Sequence, residues 1–158
     1  MTVPAEPPAL DALATVVDHW LAGELAGNPA VAAVEAGVDG PHSWYVRMNG
    51  EAKDAYTVRF HLRQRTLRYE TYFMPAPVEQ REQLFEHLLR RNAGMYGGGF
   101  VVGEEDAVFI SGRLAHALIN PEELDRVLGS VYAWVEQYFL PAVRIGFASR
   151  FRSGPTEG

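Results

Sequence analysis

The chain has no cysteine, a single lysine and no apolar run near the roughly 18 residues that a membrane-spanning helix needs. The first absence excludes disulfides, thiolate catalysis and every Cys-based zinc site, and it suits folding in a reducing compartment, so a cytoplasmic location is expected. Positive charge is scarce as a whole: Lys and Arg total 14 against 20 Asp and Glu, for a net charge of −6 and a pI near 5.3. Nucleic-acid binding draws its affinity from clustered cations on phosphates, so no nucleic-acid partner is expected. The opening "MTVPAEPPAL" is acidic and Pro-rich where a secretory leader has a basic stretch and an apolar core, and no membrane association is expected. The excess of Arg over Lys follows from codon usage in a GC-rich genome, although Arg also makes the better bidentate contacts.

Motifs for chemistry are equally scarce. Gly94, Gly97, Gly98 and Gly99 follow a helix and lead into a strand, the reverse of a phosphate loop, and read as helix cap and strand entry. His19, His42, His61, His87 and His116 are scattered, with no H-E-x-x-H pair, which leaves only a metal site assembled from distant residues. Glu104-Glu105-Asp106 lacks the alternating ligands of an EF-hand and reads as a hairpin tip. Ser111-Gly112 lies at a strand end without the G-x-S-x-G elbow of a serine hydrolase. Glu122 and Glu123 suit the start of a helix better than acid–base work. No catalytic residue, metal or cofactor is expected.

What is present is architecture. With 158 residues and 47% hydrophobic content the chain fills one core. Residues 1–8 read as a disordered lead-in, 9–152 as a single domain and 153–158 as a flexible tail. Leu10, Leu13, Val16, Val17, Trp20, Leu21 and Leu25 recur at helical spacing until Gly27-Asn28-Pro29. The segment "AVAAVEAGVDGPHS" is ambiguous between strand and helix and reads as a connector. Then "WYVRMN", "AYTVRFHLR" and "TLRYETYFM" alternate with period two, joined by "NGEAKD" and "RQRT". Tyr56, Val58, Phe60 and Leu62 point one way, Thr57, Arg59, His61 and Arg63 the other. After Pro75 and Pro77 a helix of about sixteen residues is expected, with Glu79 and Glu82 at its start, Arg90 and Arg91 at its end and Gly94 as cap. A hairpin, "GFVVG" and "AVFISG", follows. Asn120 as N-cap, Pro121 at the first helical position and Glu123 three residues on mark the last helix, which Pro141 is expected to break. The reading is α+β, an antiparallel sheet flanked by helices in the order α-β-β-β-α-β-β-α.

With these phrases in hand, the chain resembles the YbjN-like family of bacterial domains, whose fold is that of type III secretion chaperones. The likeness is carried by "LLRRNAGMYGGGF", "VFISGRL", "NPEELDRVLG" and "GFAS" and spans roughly residues 43 to 149. It implies a small cytoplasmic protein, a homodimer, that acts by binding other proteins; members are described as sensory-transduction regulators. Secretion chaperones hold extended segments against exposed helix and sheet surfaces, but fold likeness alone does not fix function.

The residues themselves offer one surface for such a role. Arg59, Arg63, Arg65 and Arg68 cluster around one hairpin with Arg47 on the same face, so Tyr45, Arg47, Arg59, His61, Arg63, Arg68 and Tyr72 form a candidate surface for a protein or peptide partner. The plain alternative is a solvated face neutralised by Glu51, Asp54 and Glu70. A second function, a small-molecule sensor or minor enzyme, would need a helix–sheet pocket lined by Trp20, Trp44, Tyr69 and Trp134, rings that would otherwise fill the core.

Overall fold

Alternating apolar and polar residues commit the centre of the chain to a sheet, and the amphipathic segments on either side supply the helices that cover one of its faces. The computed structural model describes residues 7–152. Helix α1 (Pro7–Gly27) leads into strands β1 (Val31–Ala36), β2 (Ser43–Asn49), β3 (Ala55–Leu62) and β4 (Thr66–Met74). Helix α2 (Arg81–Asn92), strands β5 (Gly98–Val102) and β6 (Val108–Ala115), a long α3 (Pro121–Gly146) and a short α4 (Ala148–Arg152) complete the order. The six strands form one antiparallel sheet in the order β1-β2-β3-β4-β6-β5. The expected α+β class and order are present with one strand more at the start. Of the expected disordered lead-in, residues 1–6 lie outside the described residues and Pro7 and Pro8 already belong to α1; the expected tail at 153–158 also lies outside them.

The ambiguous connector is where the added strand sits. "VAAVEA" pairs with β2 through Val34↔Val46, Glu35↔Tyr45 and Ala36↔Trp44, with a bulge between Val31 and Ala33. Its Ala and Glu residues have weak strand preference, and the backbone ladder to β2 decides the outcome. Gly37 and Gly40, which would interrupt either reading, both take positive φ in the turn to β2.

The core lies between the inner sheet face and α1 and α3. Tyr56, Val58, Phe60 and Leu62 are all buried, as the alternation predicts. Trp20 meets Phe60 edge-on at 5.8 Å, and Phe73 meets Phe139 at 5.7 Å. Trp20, Trp44, Tyr69 and Trp134 are between 1% and 8% exposed and belong to this core rather than to a shared pocket. The polar tips of three of them reach partners, Trp20 Nε1 donating to Asp125 at 2.7 Å, Trp44 Nε1 to Asp18 at 2.6 Å and the Tyr69 hydroxyl to the Gly97 carbonyl at 2.9 Å.

Three helix expectations are corrected by packing. Helix α2 has 12 residues, starting at Arg81, because Val78 and Glu79 donate their N–H groups to the Gly146 carbonyl and Glu79 accepts from Ser149. Helix α3 runs through Pro141 to Gly146: Ala142 and Gly146 are buried, and a Cβ on Gly146 would lie 3.0 Å from Pro77, so the last turn is held by neighbours despite the missing donor. Asn120 caps α3 by accepting from the Glu123 N–H at 3.0 Å, but the Glu123 carboxylate turns to Arg126 at 3.1 Å instead of reaching back.

Candidate functional site

The helices that build the core leave the opposite face of the sheet open. The period-two alternation sends Tyr45 and Arg47 of β2, Arg59 and His61 of β3, and Arg68, Glu70 and Tyr72 of β4 to that face, and cross-strand register arranges them in rows. One row runs Glu35, Tyr45, Arg59, Glu70, Ser111 across five strands. The next runs Ser43, His61, Arg68, Arg113. Six of the seven expected residues fall within these strands on one face, and Arg63, just past the end of β3, lines a depression of about 110 Å³ together with Arg59, His61, Arg68 and Glu70.

Electrostatics divides the face into two parts. Arg59 is compensated: its guanidinium lies 2.9 Å from Asp39 and 3.5 Å from Glu70, and stacks 5.5 Å from the centre of the Tyr45 ring. The Tyr45 hydroxyl donates to the same Asp39 carboxylate, and that bond, with Arg59 beside it, holds the carboxyl below its ordinary range. Of the three acids expected to neutralise the face, Glu70 does so; Glu51 and Asp54 form no ion pair with its arginines among the described residues. Asp39, in the β1–β2 turn, takes that place. Arg47, Arg63, Arg68 and Arg113 form no ion pair among the described residues. Partial burial, followed by the neighbouring Arg63, holds the His61 imidazole below its usual range, with Asp39 opposing, so the ring is neutral at neutral pH.

Tyr72 marks the other end. It is 45% exposed and meets Phe109 of β6 edge-on at 5.5 Å, giving the face an aromatic corner beyond its charged middle. Arg113 and Phe109 were missed from sequence because the β4–β6 pairing skips β5; the alternation Phe109, Ser111, Arg113 was the available signal. Among the described residues no three His, Asp or Glu side chains gather as metal ligands, and no helix is long and apolar enough to cross a membrane.

The model of the YbjN family, described as "putative bacterial sensory transduction regulator", matches residues 39–142. The chain belongs to the YbjN family. The matched segment begins at Asp39 and takes in the whole open face from β2 to β6. Relatives of this YbjN domain include an uncharacterized protein of Mycobacterium tuberculosis, 29% identical over 109 residues that make up 69% of this chain and 60% of that one. An uncharacterized protein of Mycobacterium leprae is 26% identical over 131 residues, 83% of this chain and 66% of the other. The matched region thus spans about 60% of the length of the tuberculosis relative.

Proposed function

We propose that this YbjN protein is a non-enzymatic, chaperone-like regulator that binds an extended polypeptide on the open face of its sheet and works as a homodimer. The observation that carries the reading is the face itself: a sheet covered by helices on one side only, with arginines, tyrosines and a neutral histidine in cross-strand rows on the other. Guanidiniums on a flat, half-desolvated surface make charge-assisted bonds to carboxylates and backbone carbonyls, and the rings of Tyr45, Tyr72 and Phe109 offer apolar area at low entropic cost. The dimer is supported by a second surface at the β5 edge, where α2 and β5 expose Leu89, Val101 and Val102 around an apolar groove. In this reading Trp20, Trp44, Tyr69 and Trp134 serve stability alone.

Photo-crosslinking from the source cell tests the face. A photoreactive phenylalanine at Tyr72 or Arg47 is expected to give discrete protein adducts that an Arg59→Ala/Arg63→Ala background reduces at least tenfold. The same probe at Gly129, on the solvent side of α3, is the control. Equal adducts from Gly129, or adducts indifferent to the two alanines, would remove the reason for assigning this face.

A further inference from the structure

One row of the open face sets like charges against each other. Arg68 on β4 lies directly opposite Arg113 on β6 and, on its other side, opposite His61 on β3. Arg63, two residues beyond His61, lines the same depression. Directly opposed residues have Cβ atoms about 4.5–5.5 Å apart, and like charges so placed destabilise a sheet. The nearby carboxylates are committed elsewhere, since Asp39 and Glu70 both turn to Arg59. Among the described residues, the guanidiniums of Arg63, just past β3, Arg68 on β4 and Arg113 on β6 therefore form no ion pair, in a chain of net charge −6.

We propose that Arg63, Arg68 and Arg113, with His61, form a binding site for a phosphate group. The inference rests on the open face being a partner surface and names the chemistry brought to it. A carboxylate has two oxygens and one charge, which a single guanidinium fork satisfies. A phosphate monoester offers three free oxygens and about two charges, matching donors that arrive from β3, β4 and β6. The depression of about 110 Å³ is lined by His61, Arg63 and Arg68 together with Arg59 and its partner Glu70, and has room for one such group rather than a whole nucleotide; Arg113 stands beside it, opposite Arg68 on β6. The neutral His61 adds an N–H donor and becomes easier to protonate once a dianion sits beside it. The charged groups facing that imidazole are Arg59 and Arg63 from its own strand side, Arg68 from β4 and Asp39 from the β1–β2 turn, with Glu70 of β4, paired to Arg59, lining the same depression.

The test titrates inorganic phosphate, O-phosphoserine and glutarate, separately, into isotope-labelled protein at constant ionic strength, following Arg Nε–H and His61 ring resonances. Phosphate or phosphoserine is expected to shift Arg68 and Arg113 saturably at one equivalent and to move the His61 midpoint to higher pH. Arg68→Gln or Arg113→Gln should weaken binding at least tenfold with the amide spectrum otherwise preserved, whereas Arg144→Gln, exposed on α3, should leave it unchanged. Tighter binding of phosphoserine than of free phosphate identifies an ester on a partner; equal binding identifies the free ion, and either supports the site. Shifts that never saturate, glutarate binding as well as phosphate, or full binding by Arg68→Gln would overturn it. Crosslinking through Tyr72, at the far end of β4, in an Arg59→Ala background that leaves Arg63 in place, reports on the partner surface separately, so loss of the phosphate site alone leaves that reading standing.

Discussion

At the scale of single residues, two side chains show how closely this sheet is fitted. The Tyr69 hydroxyl donates to the Gly97 carbonyl at 2.9 Å directly over Gly112, where a Cβ would lie 2.2 Å from the phenol oxygen and 2.5 Å from that carbonyl. Gly97 and Gly98 of "MYGGGF" and Gly112 of "ISGRL" are thus met by one buried ring, while Gly99 faces Asn92. Gly112→Ala forces the ring or the β5 entry to move, and the expected loss is about 1–3 kcal/mol or more in urea unfolding; an unchanged midpoint would refute the fit. Lys53, the only lysine, donates to the carbonyls of Tyr72 and Phe73 at 2.7 and 3.0 Å, beside the bulge between Tyr72 and Met74, and lies over the Tyr72 and Phe139 rings. Burial lowers its pKa from 10.5 to about 8. Between those values the unfolded chain holds more protons than the folded one, so this group makes stability rise with pH across that window and fall as pH drops through 8. Ionisation of tyrosines whose folded pKa is raised, Tyr56 foremost, opposes the rise near pH 10 and above. The urea midpoint is therefore expected to increase between about pH 8 and about pH 9.5, and Lys53→Met to flatten that increase.

At the scale of elements, what could be read in advance was whatever depends on near neighbours. The alternation of "AYTVRFHL" fixed which side chains of β3 are buried, and Asn120-Pro121 fixed the start of α3, because both signals are complete within a few residues. The strand "VAAVEA", the passage of α3 through Pro141 and the place of Arg113 beside Arg68 all depend on partners distant in sequence: β2, the Pro77–Glu79 turn and the β4–β6 ladder. The candidate face was legible along β2, β3 and β4 and not across β6 for the same reason. Edge protection shows the long-range term at work. Asn92, at the end of α2, accepts from the Phe100 N–H at 2.7 Å and donates to the Phe100 carbonyl at 3.3 Å, so its amide stands where a further strand would pair with β5. Asn92→Ala removes the partner of a part-buried backbone donor, and the expected cost is about 1 kcal/mol. Hydrogen exchange localises the effect: the Phe100 amide should lose protection before the centre of β4 does, and equal loss across the sheet would show that Asn92 acts otherwise.

At the scale of the whole molecule, the proposed dimer surface lies at the β5 edge of the sheet and adjoins the open face where Val101 stands opposite Phe109, whereas the charged rows of that face centre on β2, β3 and β4. Leu89 is 67% exposed, Val102 51% and Val101 43%, and with Phe85, Leu88, Phe100 and Val108 they line a groove of about 250 Å³ between α2 and β5. Its two ends differ in charge. Glu104, Glu105 and Asp106 follow β5 at one end, with Arg81 paired to Asp106, while Arg90 and Arg91 close α2 at the other. In the proposed dimer, a two-fold axis across the groove would set the acidic end of one copy against the basic end of the next, the self-complementarity that an isologous interface requires. Because Asn92 already occupies the β5 edge at Phe100, the contact is side chain on side chain rather than a continuous sheet. Each Leu or Val removed from water there contributes roughly 1.5–3 kcal/mol, so one charge in the groove is enough to dissociate the pair. Light scattering after size exclusion should give two chains for the wild type and one for Leu89→Asp at an unchanged melting profile of the monomer, while Arg68→Gln stays dimeric. A wild-type protein that remains a single chain at high concentration, or a Leu89→Asp variant that still pairs, would remove the dimer and leave the open face to act from a monomer.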